Sequence, residues 1–240
     1  MDKSIVPKKV KKATIVVHSG GMDSSLCLAI AVDDVGAENV LSMTFDYGQR
    51  HSAELEQAKI ISDYFKVDHI VVPISSLREI TSNSLLHHNL TIEDAKDGTP
   101  PNTMVVGRNG LMARIAAIHA DYLGANSIFM GVMELEEANS GYRDCSRKYM
   151  EILQAALRVD FANPQFEIKT PLVYLTKKQA LDVAYQMGHA EFLLENTLSC
   201  YEGVRGYGCG TCPACVLRND GIKEFLSEHP DIVFSYKNKF

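Results

Sequence analysis

A glycine-rich loop between a strand-like run and a helix-forming segment most narrows what this chain can fold into. Thr14–Val17 is β-branched throughout, which is typical of a strand buried on both faces of a parallel sheet. The heptapeptide Ser19–Ser25 (SGGMDSS) follows, and helix-forming residues continue from Leu26. In this order the glycines let the backbone approach an anion while the helix N-terminus offers free N–H groups, so the segment predicts a phosphate site. The alternative is an ordinary glycine turn before a helix.

The segments after this loop alternate between strands and helices. Strands are predicted at Thr14–Val17, Val40–Phe45, His69–Pro73 and Ser127–Gly131. Helices are predicted near Ser24–Val35, Ala53–Phe65, Leu111–Leu123, Lys148–Val159 and Lys177–Met187, the last with Thr176 as its N-cap. This alternation predicts an α/β fold with a parallel sheet and helices on both of its faces. Ligands of such sheets bind at the carboxyl ends of the strands.

Composition restricts the partners of the chain. Of its 240 residues 46% are hydrophobic, which is enough to bury a large core. The net charge of −6 argues against non-specific nucleic-acid binding, and no apolar run approaches the roughly 20 residues of a membrane helix. Met1–Lys12 is rich in lysine, but no signal-peptide core follows it. We therefore expect a cytoplasmic protein with neither a membrane nor a nucleic-acid partner.

The chain divides into three predicted parts. Residues 1–12 form a basic, flexible tail, residues 13–195 an α/β domain, and residues 196–240 a small helical zinc-binding module. Within the α/β domain, residues 83–104 are the least regular stretch, with two histidines and two prolines. Such a long loop predicts a lid or a binding loop, and disorder without a role is the alternative.

Four of the six cysteines form a cluster near the C-terminus, at Cys200, Cys209, Cys212 and Cys215. Without a secretion signal, such a cluster indicates a metal site more than disulfides. Four thiolates complete a tetrahedral shell and leave no open position, which predicts one structural zinc ion per chain. An iron–sulfur cluster and a redox CxxC pair are the alternatives.

The motifs resemble those of a known family. The form SGGxDS resembles the PP-loop of ATP pyrophosphatases, which split ATP to AMP and pyrophosphate while they adenylylate a substrate. Phe45–His51 (FDYGQRH), Gly107–Asn109 and Thr197–Tyr201, with the CxxCxxC run, together resemble the QueC family of 7-cyano-7-deazaguanine synthases. The resemblance extends from about Ala13 to about Gly221, and it implies a Rossmann-like sheet of the HUP type.

The resemblance also implies an activity. An enzyme of this family is an ATP-dependent ligase that converts 7-carboxy-7-deazaguanine and ammonia to 7-cyano-7-deazaguanine, for queuosine biosynthesis. The substrate carboxylate is adenylylated, ammonia gives an amide, and a second activation yields the nitrile. The implied cofactors are Mg²⁺ with ATP and one structural Zn²⁺ ion, and the implied assembly is a homodimer.

Site residues follow from the matching motifs. The expected ATP-binding residues are His18, Ser19, Gly20, Gly21, Met22, Asp23, Ser24, Ser25, Leu26, Cys27 and Leu28, although Cys27 also fits a core position. The expected catalytic residues are Asp23, Arg50, His51 and Arg108. Asp23 would bind Mg²⁺ or shape the loop. The three cationic candidates would neutralise pyrophosphate or hold the carboxylate, and a surface salt bridge is the alternative for each.

The expected substrate-binding residues are Tyr47, Gln49, Asn109, Glu134 and Asp144. Tyr47, like Phe45, would stack on adenine or deazaguanine, although an aromatic side chain at a strand end is as often part of the core. The carboxylate of Asp144 or Glu134 would accept hydrogen bonds from the N1–H and 2-amino groups of the guanine edge.

One stretch departs from the family pattern, which resembles Tyr-Pro-Asp-Cys-Arg. Here Arg143 replaces the proline and Ser146 replaces the arginine, while Cys145 remains as either a packed thiol, which we favour, or a nucleophile. The departure keeps open a paralogue that transfers the activated deazaguanine to a protein or DNA amine. A tRNA thiolase and a non-catalytic nucleotide-binding protein are further alternatives.

Overall fold

The computed structural model describes residues 11–48, 53–81, 83, 102–135 and 142–240. The expected site residues Gln49, Arg50 and His51 lie outside the described residues. So do residues 1–10 of the predicted tail and most of the predicted loop at residues 83–104.

The centre of the fold is a five-stranded sheet in the order β3-β2-β1-β4-β5, with every neighbouring pair parallel. The strands are β1 (Thr14–Val17), β2 (Val40–Asp46), β3 (Asp68–Pro73), β4 (Ser127–Met130) and β5 (Glu167–Lys169). The parallel α/β fold predicted from the sequence is confirmed. The order of the strands reverses between β1 and β4, and this is where ligands bind in sheets of this kind.

Eight α-helices occur in the described part of the chain. They are α1 (Met22–Val35), α2 (Ala53–Tyr64), α3 (Ser76–Ile80), α4 (Arg108–Leu123), α5 (Arg147–Asp160), α6 (Lys177–Gln186), α7 (Ala190–Asn196) and α8 (Pro213–Glu228). Two of the predicted starts are corrected, because α1 begins at Met22 and α4 begins at Arg108. Each of these helices therefore begins directly after a glycine, Gly21 or Gly107, and earlier than the hydrophobic pattern indicates. None of the eight is long and apolar enough to cross a membrane.

The sheet separates two hydrophobic cores. Alternate residues of β1 face opposite sides, so Ile15 packs with α4 and α5 while Val16 packs with α1 and the C-terminal helices. The helices therefore cover both faces, as predicted. From the C-terminal part of the chain, Ile222 and Phe225 of α8 lie in the same core as Leu26 of α1.

Candidate active site and cysteine cluster

The glycine loop connects the carboxyl end of β1 to α1. Gly20 has a φ of +79°, and a Cβ atom there would lie 2.8 Å from the Ala58 nitrogen and 2.8 Å from the Glu54 carbonyl oxygen of α2. Only glycine fits this close approach without strain. Gly21 occupies the N-cap position of α1 and no side chain caps the helix, so its first N–H groups remain available to an anion.

The serine hydroxyls of the loop take different positions. Ser24 Oγ accepts a hydrogen bond from the Ser19 nitrogen at 3.1 Å and lies 3.1 Å from Ser19 Oγ. Both serines line an open cleft. Ser25 is buried and its hydroxyl donates to the Gly21 carbonyl oxygen at 2.7 Å, so it holds the loop from inside. Four of the expected ATP-binding residues are buried in the core that α1 forms with the C-terminal helices, and these are Met22, Leu26, Cys27 and Leu28.

His18 is a buried connection between three elements. Its Nδ1 lies 3.0 Å from Ser42 Oγ on β2, and its Nε2 lies 3.0 Å from Ser25 Oγ on α1. Burial, together with the nearby His69, lowers the pKa of His18 to about 3. The imidazole is therefore neutral at physiological pH, and both of its nitrogens are occupied by the fold.

The cleft lies at the carboxyl ends of β1, β2 and β4 and contains about 640 Å³ of space including its open mouth. This end of a parallel sheet is where small-molecule ligands bind. Gly131, which follows β4, brings the strand close to the loop, because a Cβ atom there would lie 2.8 Å from the Ser24 nitrogen. The polar and titratable residues that line the cleft are His18, Ser19, Ser24, Thr44, Tyr47, Glu54, Arg108 and Asn109.

Arg108 supplies a half-buried cation to the cleft. It is the first residue of α4, and its guanidinium carbon lies 5.6 Å from the centroid of the Tyr47 ring. Burial acts to lower the pKa of Arg108, but Tyr47, Tyr201, Tyr142 and Asp144 act in the opposite direction, and the net shift is upward. The guanidinium therefore stays charged and faces electron-rich groups. Tyr142 and Tyr201 were not singled out from the sequence.

The two carboxylates expected at the guanine edge each cap a helix. Asp144 Oδ2 accepts a hydrogen bond from the Asn109 nitrogen at 2.9 Å, in the first turn of α4. Glu134 Oε2 accepts one from the Arg147 nitrogen at 2.8 Å, at the start of α5. A negative charge near a helix N-terminus is favourable, so one oxygen of each carboxylate has a structural partner.

The departure from the family motif has a local structural role. Ser146 is the N-cap of α5, and its hydroxyl accepts a hydrogen bond from the Tyr149 nitrogen at 3.2 Å. Arg143 is exposed. Asn109 Nδ2 donates to Cys145 Sγ at 3.2 Å, and burial followed by the field of Asp144 raises the pKa of Cys145 to about 12. Cys145 is thus a protonated thiol at neutral pH, which favours the packed thiol over the nucleophile.

An ion pair missed in the sequence lies beside the loop. Lys177 Nζ, from the first residue of α6, lies 2.5 Å from Asp23 Oδ2. The other oxygen of this carboxylate, Oδ1, is buried and has no hydrogen-bond partner among the described residues. Asp23 raises the pKa of Cys145, whereas Lys177 and Arg108 lower it. The ion pair and Arg108 therefore lie near the same thiol. The confirmed N-cap at Thr176, which forms a capping box with Gln179, places Lys177 at the helix start.

The four C-terminal cysteines come together as predicted. Their Sγ atoms all lie within 4.8 Å of one another, which fits the tetrahedral shell of a single metal ion. Gly208 has a φ of +78°, and a Cβ atom there would lie 2.3 Å from Cys215 Sγ, so glycine is required beside the cluster. Arg218 is 2% exposed and donates from Nη2 to the Gly206 carbonyl oxygen at 2.7 Å, which fixes the same turn.

A second group of possible ligands already holds a cation. Asp182, Glu228 and His229 also approach one another within 4.8 Å. Lys178 Nζ lies 2.9 Å from Asp182 Oδ2 and 2.6 Å from Glu228 Oε2. The lysine already pairs with both carboxylates, so we do not interpret this group as a metal site.

The cysteine cluster is attached to the glycine loop. The Leu198 nitrogen, two residues before Cys200, donates to the Gly20 carbonyl oxygen at 3.0 Å. Tyr201, one residue after Cys200, interacts electrostatically with Arg108 and raises the pKa of its guanidinium. Arg205 Nη1 donates to Gln57 Oε1 of α2 at 2.6 Å. The segment that carries the first cysteine therefore also contacts the candidate active site.

Three solved structures resemble the chain over most of its length. The NH3-dependent NAD synthetase from Campylobacter jejuni subsp. jejuni NCTC 11168, in complex with the nitrate ion, is 14% identical, with 76% of this chain and 67% of that chain covered and a TM-score of 0.46. The NMN synthetase from Francisella tularensis is 13% identical, with 92% and 84% covered and a TM-score of 0.48. The U34-tRNA thiolase NcsA from Methanococcus maripaludis, with its 4Fe-4S cluster, is 15% identical, with 92% and 69% covered and a TM-score of 0.47.

A family comparison gives the most specific result. The family described as "Queuosine biosynthesis protein QueC" matches residues 13–226. The match includes the glycine loop, Arg108, the Asp23–Lys177 pair and all four clustered cysteines. It spans nearly the whole chain of 240 residues. The chain therefore belongs to the QueC family, whose members are ATP-using ligase-type enzymes of queuosine biosynthesis.

Proposed function

We propose that the protein converts 7-carboxy-7-deazaguanine and ammonia to 7-cyano-7-deazaguanine while ATP is split to AMP and pyrophosphate. The observation that carries this proposal is the position of the glycine loop. Its uncapped helix N-terminus, with Ser19 and Ser24, opens on the same cleft as the half-buried Arg108 cation. A polyphosphate and a carboxylate therefore have complementary groups in one site.

The chemistry explains why ATP is needed. A carboxylate is a poor electrophile because its leaving group would be oxide. Attack of a carboxylate oxygen on the α-phosphorus of ATP releases pyrophosphate and gives an acyl adenylate. Ammonia then forms the C–N bond, AMP leaves, and one proton is lost, which gives the amide. A second activation, at the amide oxygen, allows AMP to leave again as the nitrogen loses its protons to form the nitrile.

The residues of the cleft divide this work. The N–H groups of the loop and the hydroxyls of Ser19 and Ser24 bind phosphate oxygens. Arg108 stabilises charge on pyrophosphate or on the substrate carboxylate. Lys177 adds a second cation beside Asp23. The same role stays proposed for Arg50 and His51, which lie outside the described residues.

Magnesium is the cation expected with ATP. The donor set fits it, because Asp23 Oδ1 is a carboxylate oxygen without a hydrogen-bond partner in the described part of the chain. Asp23 would hold the ion, and the ion would neutralise phosphate charge. The ion pair with Lys177 holds this carboxylate beside the loop.

Zinc is the metal that we propose for the cysteine cluster. Four thiolates within 4.8 Å of one another complete its preferred shell, so the ion would have a structural role. Cys200, Cys209, Cys212 and Cys215 would hold it. The ion would order the segment that reaches the glycine loop through Leu198.

Recognition of the deazaguanine is proposed for the part of the cleft that Tyr47 and Asn109 line. Tyr47 offers a ring for stacking. The second oxygens of Asp144 and Glu134 are the ones that we assign to the guanine edge. Gln49 stays a proposed contact outside the described residues.

A cytoplasmic homodimer is the proposed state of the enzyme. Beyond the resemblance, exposed apolar side chains on α4 and α5 support an interface. They are Leu111, Ile118, Tyr122, Ile152 and Val159. Light scattering after size-exclusion chromatography tests this state, and a monomer at micromolar concentration would contradict it.

The dependence of AMP release on each substrate tests the proposed reaction. The protein is incubated with ATP, Mg²⁺, ammonium and 7-carboxy-7-deazaguanine, and each component is omitted in turn. We expect AMP and pyrophosphate only when the carboxylate is present. AMP with the amide as the final base would mean that the second activation is absent. Consumption of the base by a protein or DNA amine would indicate the paralogue, and no carboxylate-dependent AMP would contradict the proposal.

A further inference from the structure

Glu54 places a carboxyl group in the cleft that the proposed roles do not use. It belongs to the first turn of α2 and lines the cleft together with Ser19, Ser24 and Arg108. Its backbone packs closely against the glycine loop, because a Cβ atom on Gly20 would lie only 2.8 Å from the Glu54 carbonyl oxygen. Its carboxyl group interacts electrostatically with Arg108 and Tyr47, which line the same cleft.

The other titratable groups that line the described cleft do not serve as a base near neutral pH. His18 has both ring nitrogens engaged by serine hydroxyls, and its pKa lies at about 3. Burial raises the pKa of Tyr47 to about 12, so its phenol stays protonated. Arg108 stays cationic. Glu54 is the group left among the cleft-lining residues that the structure describes.

The surroundings of Glu54 suit proton transfer. Burial raises its pKa to about 7, and the positive charge of Arg108 from α4 opposes this shift. Tyr47, at the end of β2, is the other titratable group that interacts with it. A base works best when its pKa lies near the operating pH, because it is then both ionised and sufficiently basic. A permanently charged carboxylate would also repel the anionic substrates, whereas this one is readily neutralised.

We propose that Glu54 is the general base that takes protons from the reacting nitrogen. This inference rests on the proposed function and names a residue for a step that the function leaves without one. When ammonia attacks the acyl adenylate, the C–N bond forms, the C–O bond to AMP breaks, and Glu54 accepts the proton that nitrogen loses. When the activated amide forms the nitrile, the C–O bond to AMP breaks again and Glu54 accepts an N–H proton.

The partial reactions separate this role from adenylylation. Exchange of labelled pyrophosphate into ATP, driven by the carboxylate alone, requires adenylylation but no nitrogen. In Glu54→Gln we expect this exchange to stay within a few-fold of the wild-type rate, while amide formation falls about 100-fold or more. Glu56→Gln is the matched control, because Glu56 is an exposed residue on the same helix. Both rates should be unchanged in it.

The pH dependence provides a readout that a merely structural role would not move. Amide formation is measured at a fixed concentration of free ammonia, so that the titration of ammonium does not enter. The wild-type rate should rise with pH through the pKa of Glu54, and this rise should disappear in Glu54→Gln. Normal amide formation in Glu54→Gln would overturn the proposal.

Two further results would also overturn it. Loss of exchange and amide formation together would show that Glu54 acts in adenylylation or folding. Disappearance of the pH-dependent rise in His51→Asn, with its persistence in Glu54→Gln, would assign the base to His51. Failure of the proposed function is distinguishable from these, because wild-type protein would then show no carboxylate-dependent exchange.

Discussion

At the residue scale, the candidate site depends on side chains that are distant in sequence. Asp23 and Lys177 are separated by 154 positions, yet their charged groups lie 2.5 Å apart. Nothing local marks Lys177 as functional, because a lysine after an N-cap is ordinary in a helix. Gly20 and Ser24 were predictable, since their roles follow from the loop itself. The pairing of α6 with the loop follows only from tertiary packing.

Replacement of Lys177 by methionine tests the charge beside the loop. Lys177→Met keeps much of the side-chain volume but leaves Asp23 without its partner. We expect the rate of carboxylate-dependent pyrophosphate exchange to fall about 100-fold or more, because a cation near developing phosphate charge is lost. Lys178→Met, at the neighbouring position and paired with Asp182 and Glu228, is the control. Equal rates in the two variants would contradict the assignment.

Gly20 tests the close approach between the loop and α2. In Gly20→Ala the new Cβ atom meets backbone atoms at 2.8 Å in a left-handed conformation. We expect the free energy of unfolding to fall by about 2–3 kcal/mol and ATP binding to be lost. Gly124→Ala also has a positive φ but nothing within 4 Å, so it should cost only about 1 kcal/mol. Equal losses of stability would refute the steric explanation.

His18 makes stability depend on pH. Its pKa lies at about 3 in the folded protein, below its ordinary value of 6.5, so only the unfolded state takes up a proton between these values. The free energy of unfolding should therefore decrease as the pH falls below about 6.5, by at most about 1.4 kcal/mol per pH unit from this group. Urea unfolding of wild type and His18→Gln at several pH values measures the difference. A parallel pH dependence in both proteins would contradict the prediction.

At the element scale, helix starts organise the site. The glycine loop leads into α1, Arg108 begins α4, and Lys177 begins α6. The N-cap at Thr176 was predictable, because it follows from the local sequence. The long-range caps at α4 and α5, by Asp144 and Glu134, were not, because their partners lie in other segments. The strand β5 was missed because three residues carry too little pattern.

The link between the cysteine cluster and the loop is testable by metal removal. Without a metal the segment around Cys200 loses its constraint, and the hydrogen bond from Leu198 to Gly20 weakens. We expect ATP affinity to fall about tenfold after chelation, or about 1.4 kcal/mol, and to return when zinc is added back. Calorimetric titration with a non-hydrolysable ATP analogue measures this, with circular dichroism as the control for folding. Unchanged affinity in metal-free, folded protein would refute the link.

At the scale of the whole molecule, the switch point of the sheet concentrates the chemistry. Loops after β1, β2 and β4 meet the start of α4 and the segment of the cysteine cluster at one edge. The alternation of strands and helices predicted this edge, and the family motifs predicted most of its loops. The order β3-β2-β1-β4-β5 and the shared core of α8 with α1 required the folded chain.

The central claim is that this edge turns a carboxylate and ammonia into a nitrile. The most direct test is mass spectrometry of the base after incubation with ATP, Mg²⁺, 7-carboxy-7-deazaguanine and ammonium labelled with heavy nitrogen. The account predicts 7-cyano-7-deazaguanine with one heavy nitrogen, formed only when ATP is present and released together with AMP. Recovery of the carboxylate unchanged, with ATP intact, would contradict it.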